Sequence, residues 1–549
     1  MTPEPADSLD RLSHADLIGV VRDLIRELGR VRGENEALSE ALAKLRVEHQ
    51  AVKDELARLK HLPPRPPIKP SGMDKATRAE GPRTDGEKGG RSTRRRGGHL
   101  DKLTIGATVV VKVNPPPGSR HKGFEEIVVQ DLGLNPTVTL YRRERFETPE
   151  GETIVAELGA GIVGGYGPNL RRLVLVLHFQ GQMTCERILA FLVGLGIVIS
   201  KRQVVRMLTA TLETFRAEDA AVLKAGLTGA CVTVDDTGAR HAGKNGYATQ
   251  IGSDRFCVFR TGPNKSRLAF LSRLSGGTSL YVINQAALDY MKERALPENV
   301  IDKFTEYANR VFSSRQEWEL CLNALGLRQM KVTPDPVQIA YEAALWGAIR
   351  HQGLLQGPLG ETIVVSDDAG QFRVGAHALC WVHAERLVHK LIPANDRQRR
   401  AVETAKRMIW WFYQALKNYK LAPNPEQAEI LRARFDRIFR RLSTGYATLD
   451  KLLRRLFRNK TGLLRVLDRP EIPLHTNASE NDIRAFVTKR KISGGTVSEN
   501  GRDSRDIMLG LAKTCRKLKL SFYEFIGDRL NIPGPKIPPL AILVGAPAV

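Results

Sequence analysis

Two apolar runs end alike: CVTVDDTG at 231–238 and IVVSDDAG at 363–370 each carry β-branched residues straight into a pair of aspartates and a glycine. Residues of this type belong inside a sheet, so the carboxylates sit where each strand leaves it. Taken singly, Asp-Asp-x-Gly is also an ordinary strand-end turn, because Asp and Gly favour turns. The repeat of strand and acid pair sets it apart. A third segment, HTNASEN at 475–481, places Glu480 near the start of a helix. Asn477, Glu480 and Arg484, spaced by three and four, share one helical face if that helix begins near Asn477. Three converging carboxylates suit a hard divalent cation, which takes oxygen ligands and keeps positions open for phosphate oxygens. The competing reading of Glu480 is an i to i+4 ion pair with Arg484.

Between these segments, strands are expected at 229–235, 246–251, 255–261 and 362–366, with the turn-like Ser253-Asp254 joining the second and third. A mixed α/β sheet surrounded by helices follows. Only one aspartate of each adjacent pair points into a site, because neighbouring strand residues face opposite ways.

Lys and Arg number 84 against 60 Asp and Glu, a net charge of +24 that attracts a polyanion. Nucleic acid is the first candidate. Residues 391–470 hold 19 basic against 7 acidic residues, half of the excess, as on a dedicated contact surface. The six cysteines are scattered without a Cys-x-x-Cys pair, which speaks against a disulfide scaffold and a zinc ribbon. The longest apolar run, 188–199, is too short for a bilayer span, and the acidic, polar N-terminus lacks a signal-peptide pattern. A soluble intracellular protein with no membrane partner is expected.

Along 10–61, Leu17, Leu24, Val31, Leu38, Leu45, Val52 and Leu59 recur every seven residues, with a second series through Val21, Leu28, Asn35, Leu42, His49 and Leu56. This predicts a coiled coil, hence a homodimer, with Asn35 as the polar residue that fixes register. Residues 62–101 are a basic linker: 61–100 holds six Pro, seven Gly and no aromatic residue. Over 102–165, runs such as TVVVKV and EEIVVQ predict a small β-rich segment. Residues 166–225 read as helices with a turn at Gly194-Leu195-Gly196 and Ser200 as a cap, the form of a helix-turn-helix. Lys201, Arg202, Gln203 and Arg206 are then placed for DNA phosphates or base edges. A plain helical hairpin has the same pattern.

The ordered set of VDDTG, SDD followed by HALCWVHAER, and TNASENDIRAFVTKRKISGG resembles the insertion-sequence sixty-six type of bacterial transposase. The resemblance covers most of the chain. It implies an α/β, ribonuclease-H-like mixed sheet flanked by helices, built from 226–269, 356–390 and 474–530. The implied catalytic and metal-binding triad is Asp235, Asp367 and Glu480, holding Mg²⁺ with Mn²⁺ as a substitute. Asp236 and Asp368 are the secondary choices. Cys380, His383 and Asn477 take supporting roles. His377, Cys380 and His383 offer too few ligands for a closed zinc site. Arg386, one turn after His383, is placed to meet a phosphate, and Arg484, Lys489, Arg490 and Lys491, with Arg516, Lys517 and Lys519, to hold DNA.

Two departures from the family pattern stand out: the cysteine-rich zinc module is absent, and Asp235 and Asp367 are 132 residues apart. Residues 270–355 are therefore expected as a helical insertion and 391–473 as a basic one containing Trp410, Trp411, Phe412 and Tyr413. A tail occupies 531–549. The implied activity is cleavage of transposon ends and joining of their 3′ hydroxyls to target DNA, in the bacterial cytoplasm at the nucleoid. The implied partner is double-stranded DNA, end and target, with room for accessory proteins encoded by the element. The alternatives are a ribonuclease-H-like nuclease or resolvase that cuts without joining, and a DNA-binding protein without catalysis.

Overall fold

A computed structural model describes residues 105–546 apart from 115, 121, 123, 125–126, 159–161, 163–164, 278–279, 351–361 and 441–442, together with 18–35 apart from 20, 24 and 32. Residues 1–130 and 131–549 form two compact units. In the first, the described residues between 18 and 35 are helical, and Val21, Ile25, Leu28 and Val31 on that helix are exposed. The rest of the heptad series over 10–61, and the linker at 62–101, lie outside the described residues.

The β-rich segment expected over 102–165 is reduced to one antiparallel pair, β1 (Arg145–Glu147) with β2 (Thr153–Val155). Among the described residues, neither TVVVKV nor EEIVVQ lies in a strand, and Val109, Val111 and Val129 face water. Alternating β-branched residues supply propensity, but a strand also needs a partner and a covered face. The described residues of TVVVKV and EEIVVQ have neither.

Four helices follow: α1 (Pro168–Phe179), α2 (Cys185–Gly194), α3 (Lys201–Thr209) and α4 (Glu213–Gly226). The starts of the first three are chemically marked. Proline opens α1, Thr184 accepts from the Arg187 amide to cap α2, and Ser200 accepts from the Gln203 amide to cap α3. The α2–α3 turn passes through Gly196 at φ 83°, which a side chain rarely adopts. Arg171 is buried against α3, donating to the Met207 carbonyl at 3.3 Å and to that of Ala210.

The chain then enters a five-stranded sheet. β3 (Cys231–His241), β4 (Lys244–Gly252) and β5 (Cys257–Gly262) form an antiparallel meander. β8 (Ile363–Ser366) adds parallel to β3, and β9 (His377–Leu379) parallel to β8, giving the order β5-β4-β3-β8-β9. The mixed sheet expected from the strand pattern is present. The stretch between β5 and β8 holds α5 (Arg267–Leu274), α6 (Gln285–Glu293), α7 (Glu298–Thr305), α8 (Arg315–Ala324) and α9 (Pro336–Ile349). It is not purely helical, since β6 (Tyr281–Ile283) pairs antiparallel with β7 (Arg310–Phe312). Nor is it a detached lobe: Trp318 and Ile339 belong to the same apolar core as Val232 and Val364 of the sheet.

A second core lies on the opposite face. Alternation along β8 sends Val364 into the first core and Ile363 and Val365 into the second. The second is closed by α10 (Trp381–His389), α11 (Asp396–Leu421), α12 (Pro425–Arg440), α13 (Ala447–Arg458) and the single turn α14 (Lys460–Leu463). Trp381 anchors it, stacking on Phe412 at 5.4 Å and donating its indole N–H to the Leu463 carbonyl at 2.9 Å.

Four last helices, α15 (Asn477–Ser493), α16 (Glu499–Lys517), α17 (Phe522–Arg529) and α18 (Leu540–Gly545), return to the sheet and to α4. At Gly510 a Cβ would stand 2.9 Å from the Cys257 carbonyl, so α16 lies directly on β5. One buried ion pair ties these pieces together. Asp482 of α15 meets Lys517 of α16 at 2.6 Å and accepts from Gln250 of β4 at 3.2 Å, while Lys517 also donates to the Ser253 and Phe256 carbonyls. Removing one partner strands the other charge in the interior. Asp482→Ala is therefore expected to cost about 3–5 kcal/mol in denaturant unfolding, whereas alanine at exposed Glu499 changes stability by under about 0.5 kcal/mol.

Candidate active site

The parallel register of β3 and β8 pairs Thr233 with Val365. Two residues further along come Asp235, still within β3, and Asp367, the first residue past β8, which therefore stand at one level on neighbouring strands. Asp235 also pairs across β4 with Gln250, and cross-strand partners share a face. Since Gln250 donates to Asp482, that face is the one α15 covers. Asp236 points the other way, accepting hydrogen bonds from Thr249 at 2.5 Å and Gln371 at 3.0 Å. Asp368 is likewise engaged elsewhere, held by Arg373, by Arg455 at 2.6 Å and by Asn459 at 2.9 Å.

Burial pushes the Asp235 carboxyl up to about 6; the Asp236 amide opposes this, the Asp367 charge adds to it, and His383 lowers it. Asp235, Asp367 and His383 thus share one electrostatic environment. Glu480 joins through the same imidazole: its Oε1 lies 3.7 Å from His383 Nε2. The strongest partner of Glu480 is Arg386, whose Nη1 and Nη2 donate to Oε1 and Oε2 at 2.8 and 3.2 Å and hold the carboxyl below its usual range. Arg484, four residues on, acts on Glu480 only as a weaker, distant charge.

Helix α15 begins at Asn477, as the sequence predicts, with Asn477 exposed. Behind Glu480, buried Cys380 and half-buried His383 form a hydrogen-bonded pair. Burial alone raises the Cys380 thiol, but bonds with His383 and Thr476 outweigh it and bring it below its ordinary value. The Cys380 contact in turn raises His383 against the opposing effect of burial. His377 stands apart, bonded to the Ser366 hydroxyl at 2.8 Å, with burial lowering its ring to about 4. Asp367, Cys380, His383, Arg386, Lys390 and Arg455 line a cleft of about 420 Å³.

Two oxygen donors of the predicted triad fit a hard divalent cation. Asp235 and Asp367 are half-buried carboxylates whose mutual repulsion a cation would relieve. Glu480 has both oxygens committed to Arg386. Among the described residues, no three His, Cys, Asp or Glu side chains are gathered closely enough to hold a metal ion.

The predicted DNA contacts divide. Arg202, Arg206, Arg484 and Lys491 are exposed, and Lys201 is exposed in an ion pair with Glu186. Gln203 sits in the first turn of α3. Arg490 turns inward to the Gly238 carbonyl. Lys489 is a correction: it is 2% exposed, and its amine donates to the His178 and Met183 carbonyls at 2.7 and 3.0 Å, with burial lowering it to about 8. A spent, buried amine does not meet a phosphate, and Lys517 is withdrawn for the same reason. Of the aromatic cluster, Phe412 is core, whereas Trp410 and Trp411 stand 41% and 47% exposed. The Arg455–Asn459 clamp on Asp368 was invisible in the sequence, because its members lie about ninety residues from their partner.

Residues 353–504, which include Asp367 and Glu480 but not Asp235, match the Transposase IS66 family. The uncharacterized protein y4jO of Sinorhizobium fredii is 54% identical over 328 residues, 60% of this chain and the whole of that relative. The chain belongs to the IS66 transposase family. Among the described residues, no helix is long and apolar enough to cross a membrane.

Two measurements test this geometry. Lys489→Met should lower unfolding stability by about 1–3 kcal/mol by leaving two buried carbonyls unpaired, without changing the salt slope of DNA binding; Lys491→Ala should do the reverse, reducing that slope by about one. Asp235 has a folded value raised from 3.8 to about 6, so its stabilising contribution is complete below pH about 4 and lost as pH rises through 6. In metal-free buffer, Asp235→Asn should accordingly be more stable than wild type at pH 8, by on the order of 2 kcal/mol in chemical denaturation, with the gap closing towards pH 4.

Proposed function

We propose that Asp235, Asp367 and Glu480 are the catalytic carboxylates of a ribonuclease-H-like transposase core that cuts the ends of its element and joins the 3′ hydroxyls to target DNA. The observation that carries this reading is Asp235 on β3, on the face covered by the helix that bears Glu480, level with Asp367 just past the end of parallel β8. Asp235, Asp367 and Glu480 would hold Mg²⁺, or Mn²⁺ in its place. Such ions would activate water or a 3′ hydroxyl and stabilise the leaving oxygen, with no covalent enzyme intermediate required.

The chain's own residues supply the setting. Arg386, Lys390 and Arg455 line the cleft and favour an entering phosphodiester by charge, while His383 bridges Asp367 and Glu480 electrostatically. Cys380 and Thr476 orient the His383 ring. The exposed basic residues of α3 would contact DNA in the manner of a helix-turn-helix, with Arg484 and Lys491 as further phosphate contacts. The N-terminal heptads would hold two copies together, so that two transposon ends are handled in one assembly.

Asp235→Asn, Asp367→Asn and Glu480→Gln should each lower cleavage of element-end DNA by at least about a thousandfold, roughly 4 kcal/mol of transition-state stabilisation, while retaining DNA affinity in gel-shift titrations. Cleavage that survives any one of these changes rejects that residue. Cutting without joining of pre-cut ends would move the assignment to a nuclease.

A further inference from the structure

We propose that Arg386 is a latch: it occupies both oxygens of Glu480 until a substrate phosphate draws its guanidinium away, so that DNA binding and completion of the cation site are coupled. This rests on the assignment of Glu480 made above.

The geometry is one of competition. Nη1 and Nη2 of Arg386 each take a different oxygen of Glu480, at 2.8 and 3.2 Å, leaving neither carboxylate oxygen free of the guanidinium. A carboxylate gripped in this way cannot also offer its charge fully to a metal. The same planar fork matches two oxygens of a phosphodiester as well as it matches a carboxylate. Arg386 is placed to make that exchange, because its side chain is 44% exposed and lines the cleft beside Lys390 and Arg455. The guanidinium side of the pair is open to water while Glu480 is only 18% exposed, so an entering phosphate reaches Arg386 before it reaches the carboxylate.

Release would not set Glu480 adrift. His383 Nε2 lies 3.7 Å from its Oε1, and His383 feels the charge of Asp367. A freed Glu480 therefore remains next to the imidazole that already interacts with the Asp235–Asp367 pair. The consequence is linkage: whatever binds Arg386 strengthens cation binding, and the cation strengthens binding of that phosphate by the same factor. A transposase wired this way holds a complete metal site only when DNA lies in its cleft.

The test is Mn²⁺ binding by the full-length protein, read as the electron paramagnetic resonance signal of free Mn²⁺ without DNA. Arg386→Met should bind Mn²⁺ roughly tenfold more tightly than wild type, within the usual range for coupled sites. Removing a positive charge near a cation site raises affinity by itself, so the decisive comparison is Arg386→Met combined with Glu480→Gln. The gain should vanish in that double variant. Arg386→Lys, which keeps the charge and loses the fork, should show an intermediate gain, and circular-dichroism melts confirm that each variant is folded. Adding a short duplex at low salt should raise wild-type Mn²⁺ affinity towards that of Arg386→Met. An unchanged affinity in Arg386→Met and Arg386→Lys, or a gain that persists in the double variant, overturns the latch. Mn²⁺ binding that Asp235→Asn does not weaken overturns the metal assignment itself, which is a separate failure.

Discussion

Everything at the candidate active site depends on the register between two strands far apart in sequence. Parallel pairing of Thr233 with Val365 sets Asp235 and Asp367 level with each other. A slip of one residue would turn every side chain of β8 to the other face and send Val364 into the wrong core. Register is therefore enforced by burial on both faces, since Val364 packs into one core while Ile363 and Val365 pack into the other. Asp235 inside β3 and Asp367 just past β8 keep their places because the strands behind them are fixed by this two-sided packing.

The long excursion between the strands reflects the same constraint. A parallel crossover must travel from the end of one strand to the start of the next, and here it does so through β4, β5 and α5–α9. Those helices add Trp318 and Ile339 to the main core. The basic helices after β9 play the matching part on the other side, burying Trp381 and Phe412 beneath a surface rich in arginine. Each insertion thus closes one face of the sheet.

Most strand positions, the α3 cap at Ser200 and the start of α15 at Asn477 were legible because they depend on local chemistry: β-branched runs, side-chain oxygens before a helix, and turn residues. The expected strand end at Asp235 was wrong: β3 runs on to His241, paired with β4 as far as Lys244. The choice between Asp235 and Asp236 was only half legible. Alternation says that one faces the site, but which one depends on Gln250 meeting Asp482, a contact across 232 residues. The valines near 109–129 misled because propensity was present without a partner. Lys489 misled because a lysine in a basic helix reads as surface until the carbonyls of His178 and Met183 are found around it. Arg386 was readable as a phosphate ligand by its position one turn after His383. Its grip on Glu480 was not, since the two stand 94 residues apart.

The buried amine of Lys489 has a consequence for how length is measured along DNA. It staples the helix bearing Glu480 to the junction between α1 and α2, both within one compact unit. A double helix gripped by α3 would be offered to the acidic residues at a single fixed offset. On the proposed function, the distance from recognition sequence to scission point would then be set in part by a lysine that touches no nucleotide.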